Sequence, residues 1–166
     1  MKFTLAAVGA IGTSLLNLTI APLLRTGAAQ PDFVLIGAVV WTVAIGIEGG
    51  LAWAFIGGLM IDFLSPRPLG STAFTLLLCV GGALLLARLT LRFRLLVPVV
   101  AVVLFSVVNA LLFLVVYGTL RGPIPAADPL SAVLPSAAYN GVLAAIVGPL
   151  AVAAISRREN RERLDW

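Results

Sequence analysis

Apolar residues follow one another along most of the chain in six long runs, separated by short polar or proline-rich breaks. The runs cover residues 3–24, about 33–47, about 51–64, 71–87, a stretch with Pro98 in its first turns that reaches about residue 120, and about 130–155. Continuous apolar runs approaching about 20 residues are typical of helices that cross a bilayer. The pattern predicts an all-α, polytopic integral membrane protein built as a six-helix bundle.

The second and third runs are the shortest pair. They share residues 32–64, so each half extends about 24 Å at ~1.5 Å per residue, less than the ~30 Å hydrocarbon core. Glu48, Gly49 and Gly50 separate them in this interpretation. Two short crossings and a re-entrant hairpin buried in protein both fit. Two crossings are favoured, because the Glu48 carboxylate suits a turn at the membrane surface.

Composition supports the membrane interpretation. The chain of 166 residues is 61% apolar and 11% charged, with a mean hydropathy of +1.12, whereas soluble domains carry about 25% charged residues. A soluble domain of this size buries only part of its surface, which excludes a soluble enzyme, a disordered chain and a DNA-binding module. We expect a transmembrane domain over residues 1–156 and a charged cytoplasmic tail over residues 157–166.

Basic residues predict the orientation. If all six runs cross and the N-terminus is cytoplasmic, the basic residues on the inside are Lys2, Arg88, Arg92, Arg94, Arg157, Arg158, Arg161 and Arg163. Those outside are Arg25, Arg67 and Arg121. Cytoplasmic loops of membrane proteins carry an excess of Lys and Arg. The distribution therefore favours cytoplasmic N- and C-termini.

Few residues in the sequence are suited to catalysis or to metal binding. The sequence has no histidine and one cysteine, Cys79, so a histidine base, an intrachain disulfide and a thiolate metal cluster are impossible. It also lacks a glycine-rich phosphate loop, a nucleophile elbow and zinc-ligand spacing. We expect no catalytic residue, no cofactor, no metal and no nucleic-acid partner.

Small residues at four-residue spacing mark faces where membrane helices approach closely. Such stripes are Gly50, Ala54 and Gly58 in the third run, Ala137, Gly141 and Ala145 in the sixth, and Gly9, Thr13 and Asn17 in the first. Each stripe either packs inside the bundle, which is the commoner use, or receives the helix of a partner.

Polar residues within the spans need hydrogen-bond partners, because an unpaired amide in hydrocarbon is costly. Asn17, Asn109 and Asn140 are expected to bond between helices or to line a pocket. Asp32 follows a proline and opens a helix, where a carboxylate accepts backbone N–H groups. Asp62 lies near the end of its span. It either reaches the interface, pairs with Arg67 or caps the following loop, or it serves a function.

The segment from Pro31 to Ala73 resembles the bacterial rod shape-determining protein MreD family. The resemblance rests on Pro31-Asp32-Phe33, on the stretch from Gly57 to Gly70 that reads GGLMIDFLSPRPLG, and on Ala73. This order matches the family's glycine-rich helix, Asp, Ser/Pro loop and Pro-Leu-Gly, followed by a small residue.

The resemblance implies a non-enzymatic scaffold subunit of the elongasome in the bacterial inner membrane. It implies association with MreC and, in the same complex, with the RodA glycosyltransferase, a class B penicillin-binding transpeptidase and, indirectly, MreB filaments. A groove lined by small residues would receive the transmembrane helix of MreC. The candidate residues are Asp32, Gly50, Ala54, Gly58, Asp62, Pro66, Pro68, Leu69 and Gly70.

The family is also similar in fold to the S components of energy-coupling-factor transporters, which have six helices around an outward pocket. A solute-binding transport subunit is therefore the alternative function. It requires a pocket of convergent aromatic and polar groups, to which Trp41, Trp53, Asn17 and Asn109 would contribute.

Overall fold

The computed structural model describes residues 2–27, 29–89, 96–121 and 129–164. These residues form α-helices and loops and contain no β-strand; Thr26 and Ala29 form an isolated bridge. The helices are α1 (Lys2–Thr19), α2 (Phe33–Ala44), α3 (Ile47–Leu64), α4 (Ser71–Leu89), α5 (Val97–Arg121) and α6 (Pro129–Leu164). The all-helical prediction is confirmed. Arg92 and Arg94, residues 122–128 of the proline-rich loop and the last two residues of the predicted tail lie outside the described residues.

Length and hydropathy agree with a membrane protein. Among the described residues, four helical stretches are long and apolar enough to cross a bilayer: Ile47–Leu64, Ser71–Leu89, Val97–Leu120 and Val133–Ala151. The outer surface carries large apolar side chains, such as Val8 (69% exposed), Val115 (64%) and Leu150 (65%). Such a surface is unfavourable in water over a large area and is the expected surface for contact with lipid.

The short helix α2 is the centre of the bundle. It packs against each of the other five helices, and most of its side chains are buried: Val34, Leu35, Ile36, Ala38, Val39, Val40 and Thr42. Twelve residues extend about 18 Å at ~1.5 Å per residue. A helix surrounded by protein does not have to match the lipid thickness, which explains how so short an apolar segment is accommodated.

The prediction that Glu48, Gly49 and Gly50 separate the second and third helices is wrong. Helix α2 ends at Ala44 and α3 begins at Ile47, so all three residues lie inside the start of α3. The chain turns at Gly46, whose φ of +139° is a conformation that side chains with a Cβ rarely adopt. The two helices are therefore unequal in length, with 12 residues in α2 and 18 in α3.

Helix α6 is the longest element. Its 36 residues correspond to about 54 Å at ~1.5 Å per residue, well beyond a ~30 Å hydrocarbon core. The helix continues through the segment predicted as a charged tail as far as Leu164. The backbone shows no break at the predicted boundary, and the division at residue 157 stays a prediction.

Candidate partner-binding site and polar cavity

Asp62, one of the two acidic residues quoted for the resemblance, joins two helices. It is 2% exposed, and its carboxylate oxygens accept hydrogen bonds from the backbone N–H groups of Thr72 (3.1 and 3.2 Å) and Ala73 (3.5 Å) and from Ser71 Oγ (3.4 Å). Asp62 lies on α3, and these donors form the first turn of α4. A carboxylate at this position satisfies N–H groups that have no partner within the helix and complements the helix dipole.

The small residues of α3 pack inside the bundle. A Cβ at Gly50 would overlap the Thr42 side chain, and a Cβ at Gly58 would overlap the backbone of Ala73. Ala54, between them, is fully buried. Of the two uses predicted for this stripe of small residues, the contacts show the first, packing between helices of the same chain. Gly50, Ala54, Gly58 and Asp62 therefore determine how α3 is held against its neighbours, and any effect of theirs on a partner passes through that packing.

The loop between α3 and α4 is the exposed part of the candidate set. Pro66 and Leu69 are exposed, and Pro68 and Gly70 are half-buried. Ser71 Oγ donates to Pro68 O at 2.7 Å, and Gly70 has a φ of +85°. Arg67 lies over the ring of Phe113, with its Cζ 4.7 Å from the ring centroid, so the loop contacts α5. It presents a defined surface at what we call the acidic end, the end of the bundle that holds Asp32 and Asp62.

The start of α2 is capped by side chains from three parts of the chain. Asp32 Oδ1 accepts from the Leu35 N–H at 3.1 Å, which confirms the predicted cap. Asn17 Oδ1 of α1 accepts from the Phe33 N–H at 3.0 Å, and Asn140 Oδ1 of α6 accepts from the Asp32 N–H at 2.8 Å. Two of the predicted asparagines thus bond between elements, and together they satisfy N–H groups that would otherwise be unpaired.

A partly enclosed cavity of about 250 Å³ lies beside this cap, between the start of α2 and helices α5 and α6. Its lining residues are Gln30, Asp32, Leu35, Ser106, Asn109, Ala110, Val133, Ser136 and Asn140. Hydrogen bonds join the walls: Asn140 Nδ2 donates to Ser106 Oγ (2.9 Å), and the Gln30 N–H donates to Ser136 Oγ (3.2 Å). Asn109 lines the cavity. Lining a pocket is one of the two roles that the sequence predicted for it.

Asp32 is the acidic residue of the cavity lining. It precedes the first residue of α2, and burial raises the pKa of its carboxyl, an effect that the Leu35 hydrogen bond and the charge of Arg67 oppose. No described Lys or Arg forms an ion pair with this carboxylate. Within the described residues, no group of three or more His, Cys, Asp or Glu side chains is placed to hold a metal ion.

Trp41 and Trp53 form part of the interior packing. The Trp53 indole lies between Gly9 of α1 and Gly37 of α2, where a Cβ on either glycine would overlap the ring. Trp41 packs on Gly49, and the two indole centroids are 5.2 Å apart. Neither tryptophan lines the cavity. Sequence reasoning found the Gly9 stripe but not its occupant, because nothing in the sequence pairs a glycine with a particular tryptophan.

The family comparison covers far more of the chain than the resembling segment. The family model for rod shape-determining protein MreD matches residues 1–152. The chain belongs to the MreD family. It is therefore a membrane protein of bacterial cell-shape determination. Searches of curated proteins and of solved structures gave no match.

Within the MreD family assignment, the Gly57–Gly70 segment has a physical explanation. Gly58 allows α3 and α4 to approach, Asp62 caps α4, and Gly70 takes the positive φ that ends the loop. The segment therefore fixes the α3–α4 hairpin and, with it, the position of the exposed Pro66–Gly70 loop.

Proposed function

We propose that this MreD protein is a non-enzymatic scaffold subunit of the elongasome in the inner membrane, with both termini cytoplasmic. In this proposal it binds MreC and supports side-wall peptidoglycan synthesis by RodA and a class B penicillin-binding transpeptidase, with MreB filaments acting indirectly. The proposal rests on the family membership together with one structural observation. The exposed loop at the acidic end leads into the first turn of α4, whose N–H groups donate to the buried Asp62 carboxylate.

The proposed MreC contact is the acidic end. Pro66, Pro68, Leu69 and Gly70 supply the accessible surface there. Asp32 lies at the start of α2, where the charge of Arg67 in the same loop acts on its carboxyl group. Gly50, Ala54, Gly58 and Asp62 act on this contact indirectly, by holding α3 against α2 and α4. Leu69 is 66% exposed. At the membrane–water boundary, where the transmembrane helix of MreC leaves the bilayer, burying this side chain against the helix removes apolar surface from water, which is favourable.

Co-purification tests this proposal. Full-length protein carrying Leu69→Asp is co-expressed with tagged MreC, and recovery is compared with that of Leu89→Asp, at an exposed leucine that ends α4. Since Leu69 and Leu89 lie at opposite ends of the same hairpin, we expect at least a tenfold loss for Leu69→Asp and full recovery for Leu89→Asp. Full recovery of both at equal expression would remove the loop from the interface.

The alternative function, solute binding for transport, requires aromatic as well as polar groups around an outward pocket. The cavity supplies polar and aliphatic groups but no aromatic one, because Trp41 and Trp53 pack elsewhere. Asn17 caps α2 rather than lining the cavity. We therefore propose the scaffold function and not transport.

A further inference from the structure

The polar cavity contains a carboxylate, that of Asp32, whose remaining hydrogen-bond capacity the scaffold function does not use. Asp32 Oδ1 is bound to the Leu35 N–H, which leaves further acceptor capacity on a carboxylate that carries a full negative charge when ionised. The charge of Arg67 acts on this carboxylate from a distance, but among the residues that the structure describes no Lys or Arg forms an ion pair with it. Around it stand amide and hydroxyl groups from α5 and α6, including Asn109, whose Oδ1 lies 4.0 Å from Cys79 Sγ.

We propose that this cavity binds a primary ammonium group, with the Asp32 carboxylate as its counter-ion and the Asn109 side-chain oxygen as a hydrogen-bond acceptor. A carboxylate removed from water is stabilised by a paired cation that also donates hydrogen bonds. An ammonium donates three such bonds. Oxygen acceptors, rather than aromatic rings, line the cavity, which suits an ammonium that keeps its N–H groups over a quaternary amine.

The cavity volume limits the size of the ligand. A cavity of about 150 Å³ holds benzene, so the 250 Å³ here accommodates a small polar molecule or a lipid headgroup but not a peptide helix. The same ammonium chemistry is present in free amines and in the ethanolamine headgroup of a phospholipid. The apolar wall formed by Leu35, Ala110 and Val133 suits the carbon chain that carries the amine.

Thermal unfolding of the full-length protein in detergent tests the proposal. The probes are ethanolamine and ethylene glycol, which replaces the ammonium by a hydroxyl, with sodium chloride matching the ionic strength. A ligand that reaches tenfold its Kd and binds only the folded state should raise the Tm by about 4 °C in a chain of this size. We expect this rise with ethanolamine and none with ethylene glycol.

A second pair of probes identifies the source of the ammonium. Dihexanoyl phosphatidylethanolamine presents a primary ammonium, whereas dihexanoyl phosphatidylcholine presents a quaternary one without N–H donors. A rise with ethanolamine assigns the cavity to a free amine. A rise with phosphatidylethanolamine alone assigns it to a lipid headgroup. Either result supports the proposal. No rise with either primary amine overturns it.

Three variants locate the site. Asp32→Asn keeps a good helix cap but removes the charge, and Ala110→Leu fills the cavity without removing a hydrogen bond; both should abolish the Tm rise. Glu48→Gln neutralises an exposed carboxylate in the first turn of α3 and should keep it. A rise that persists in Asp32→Asn would overturn the assignment to this cavity, even if MreC recovery remains normal.

Discussion

The bundle is held together in two different ways on two sides of its central helix. On the close-packed side, α3 meets α1, α2 and α4 through glycines: Trp53 fills the space between Gly9 and Gly37, and Gly58 touches the backbone of Ala73. On the cavity side, α2 meets α5 and α6 around a space of about 250 Å³. There Asn140 connects two helices through hydrogen bonds at its Oδ1 and Nδ2 atoms.

The difference shows how membrane helices associate without a hydrophobic driving force. Leucine gains little by leaving lipid, so helices are held by close backbone approach or by hydrogen bonds. This protein uses the first on one side of α2 and the second on the other. Adding atoms should therefore be costly on the close-packed side and tolerated on the cavity side, while removing polar groups should affect whichever helix end they cap.

Gly58→Leu is expected to have the largest effect. The new side chain would collide with the Ala73 backbone, which cannot move without separating α3 from α4. Overpacking of this kind costs about 3 kcal/mol or more of the free energy of unfolding. The measurement is detergent unfolding of the purified chain. Gly12→Leu is the matched control, because nothing lies within 4 Å of a Cβ at Gly12. Equal loss in both variants would show that the close packing is not what limits stability.

Asp62→Leu ranks next. It leaves the buried N–H groups of Thr72 and Ala73 without their acceptor, and we expect a loss of about 2–3 kcal/mol in the free energy of unfolding. Asp62→Asn keeps one accepting oxygen and should lose roughly half as much. Glu48→Gln, at an exposed carboxylate in the first turn of α3, controls for helix-dipole effects. If Asp62→Leu and Asp62→Asn lowered the free energy of unfolding equally, the hydrogen bonds accepted by Asp62 would contribute little to stability.

Asn140→Ala tests the polar connection on the cavity side. It removes the acceptor for the Asp32 N–H and the donor to Ser106 Oγ, so the free energy of unfolding should fall by about 1–2 kcal/mol. Asn17→Ala removes a single hydrogen bond, to the Phe33 N–H, and should cost about half of that. The two losses should add in the double variant if the caps are independent. If Asn17→Ala lowered the free energy of unfolding by more than Asn140→Ala, then α1 rather than α6 would make the stronger polar connection to the start of α2.

Sequence patterns predicted the helices and one cap but not the arrangement. Continuous apolar runs were enough to indicate six helices, and the Pro31-Asp32 pair was enough to predict the cap that Asp32 forms. The central position of α2 could not be predicted, because lipid-facing and buried faces are both apolar and periodicity carries little information.

The glycines show the same limit at single residues. Gly46 and Gly50 look alike in the sequence, yet Gly46 forms the turn through its φ of +139° and Gly50 lies inside α3 against Thr42. A glycine serves either as a turn or as a close contact, and only the neighbouring helix decides which. The cavity could not be predicted from the sequence either, because its lining residues are far apart along the chain, as Gln30, Ser106 and Ser136 show.

Ala110→Leu is the smallest expected effect and the clearest contrast between the two sides. It adds three carbons at the cavity wall, and filling an existing cavity should raise the free energy of unfolding by about 0.5–1 kcal/mol. Gly37→Ala adds a single carbon on the close-packed side, where the Trp53 ring already occupies the space. It should lower the free energy of unfolding by about 1–2 kcal/mol, despite the better helix propensity of alanine. Opposite signs for these two additions, measured in the same detergent, would establish that space rather than polarity distinguishes the two sides of α2. A loss in Ala110→Leu as large as that in Gly37→Ala would mean that the cavity is no more tolerant than the glycine contacts.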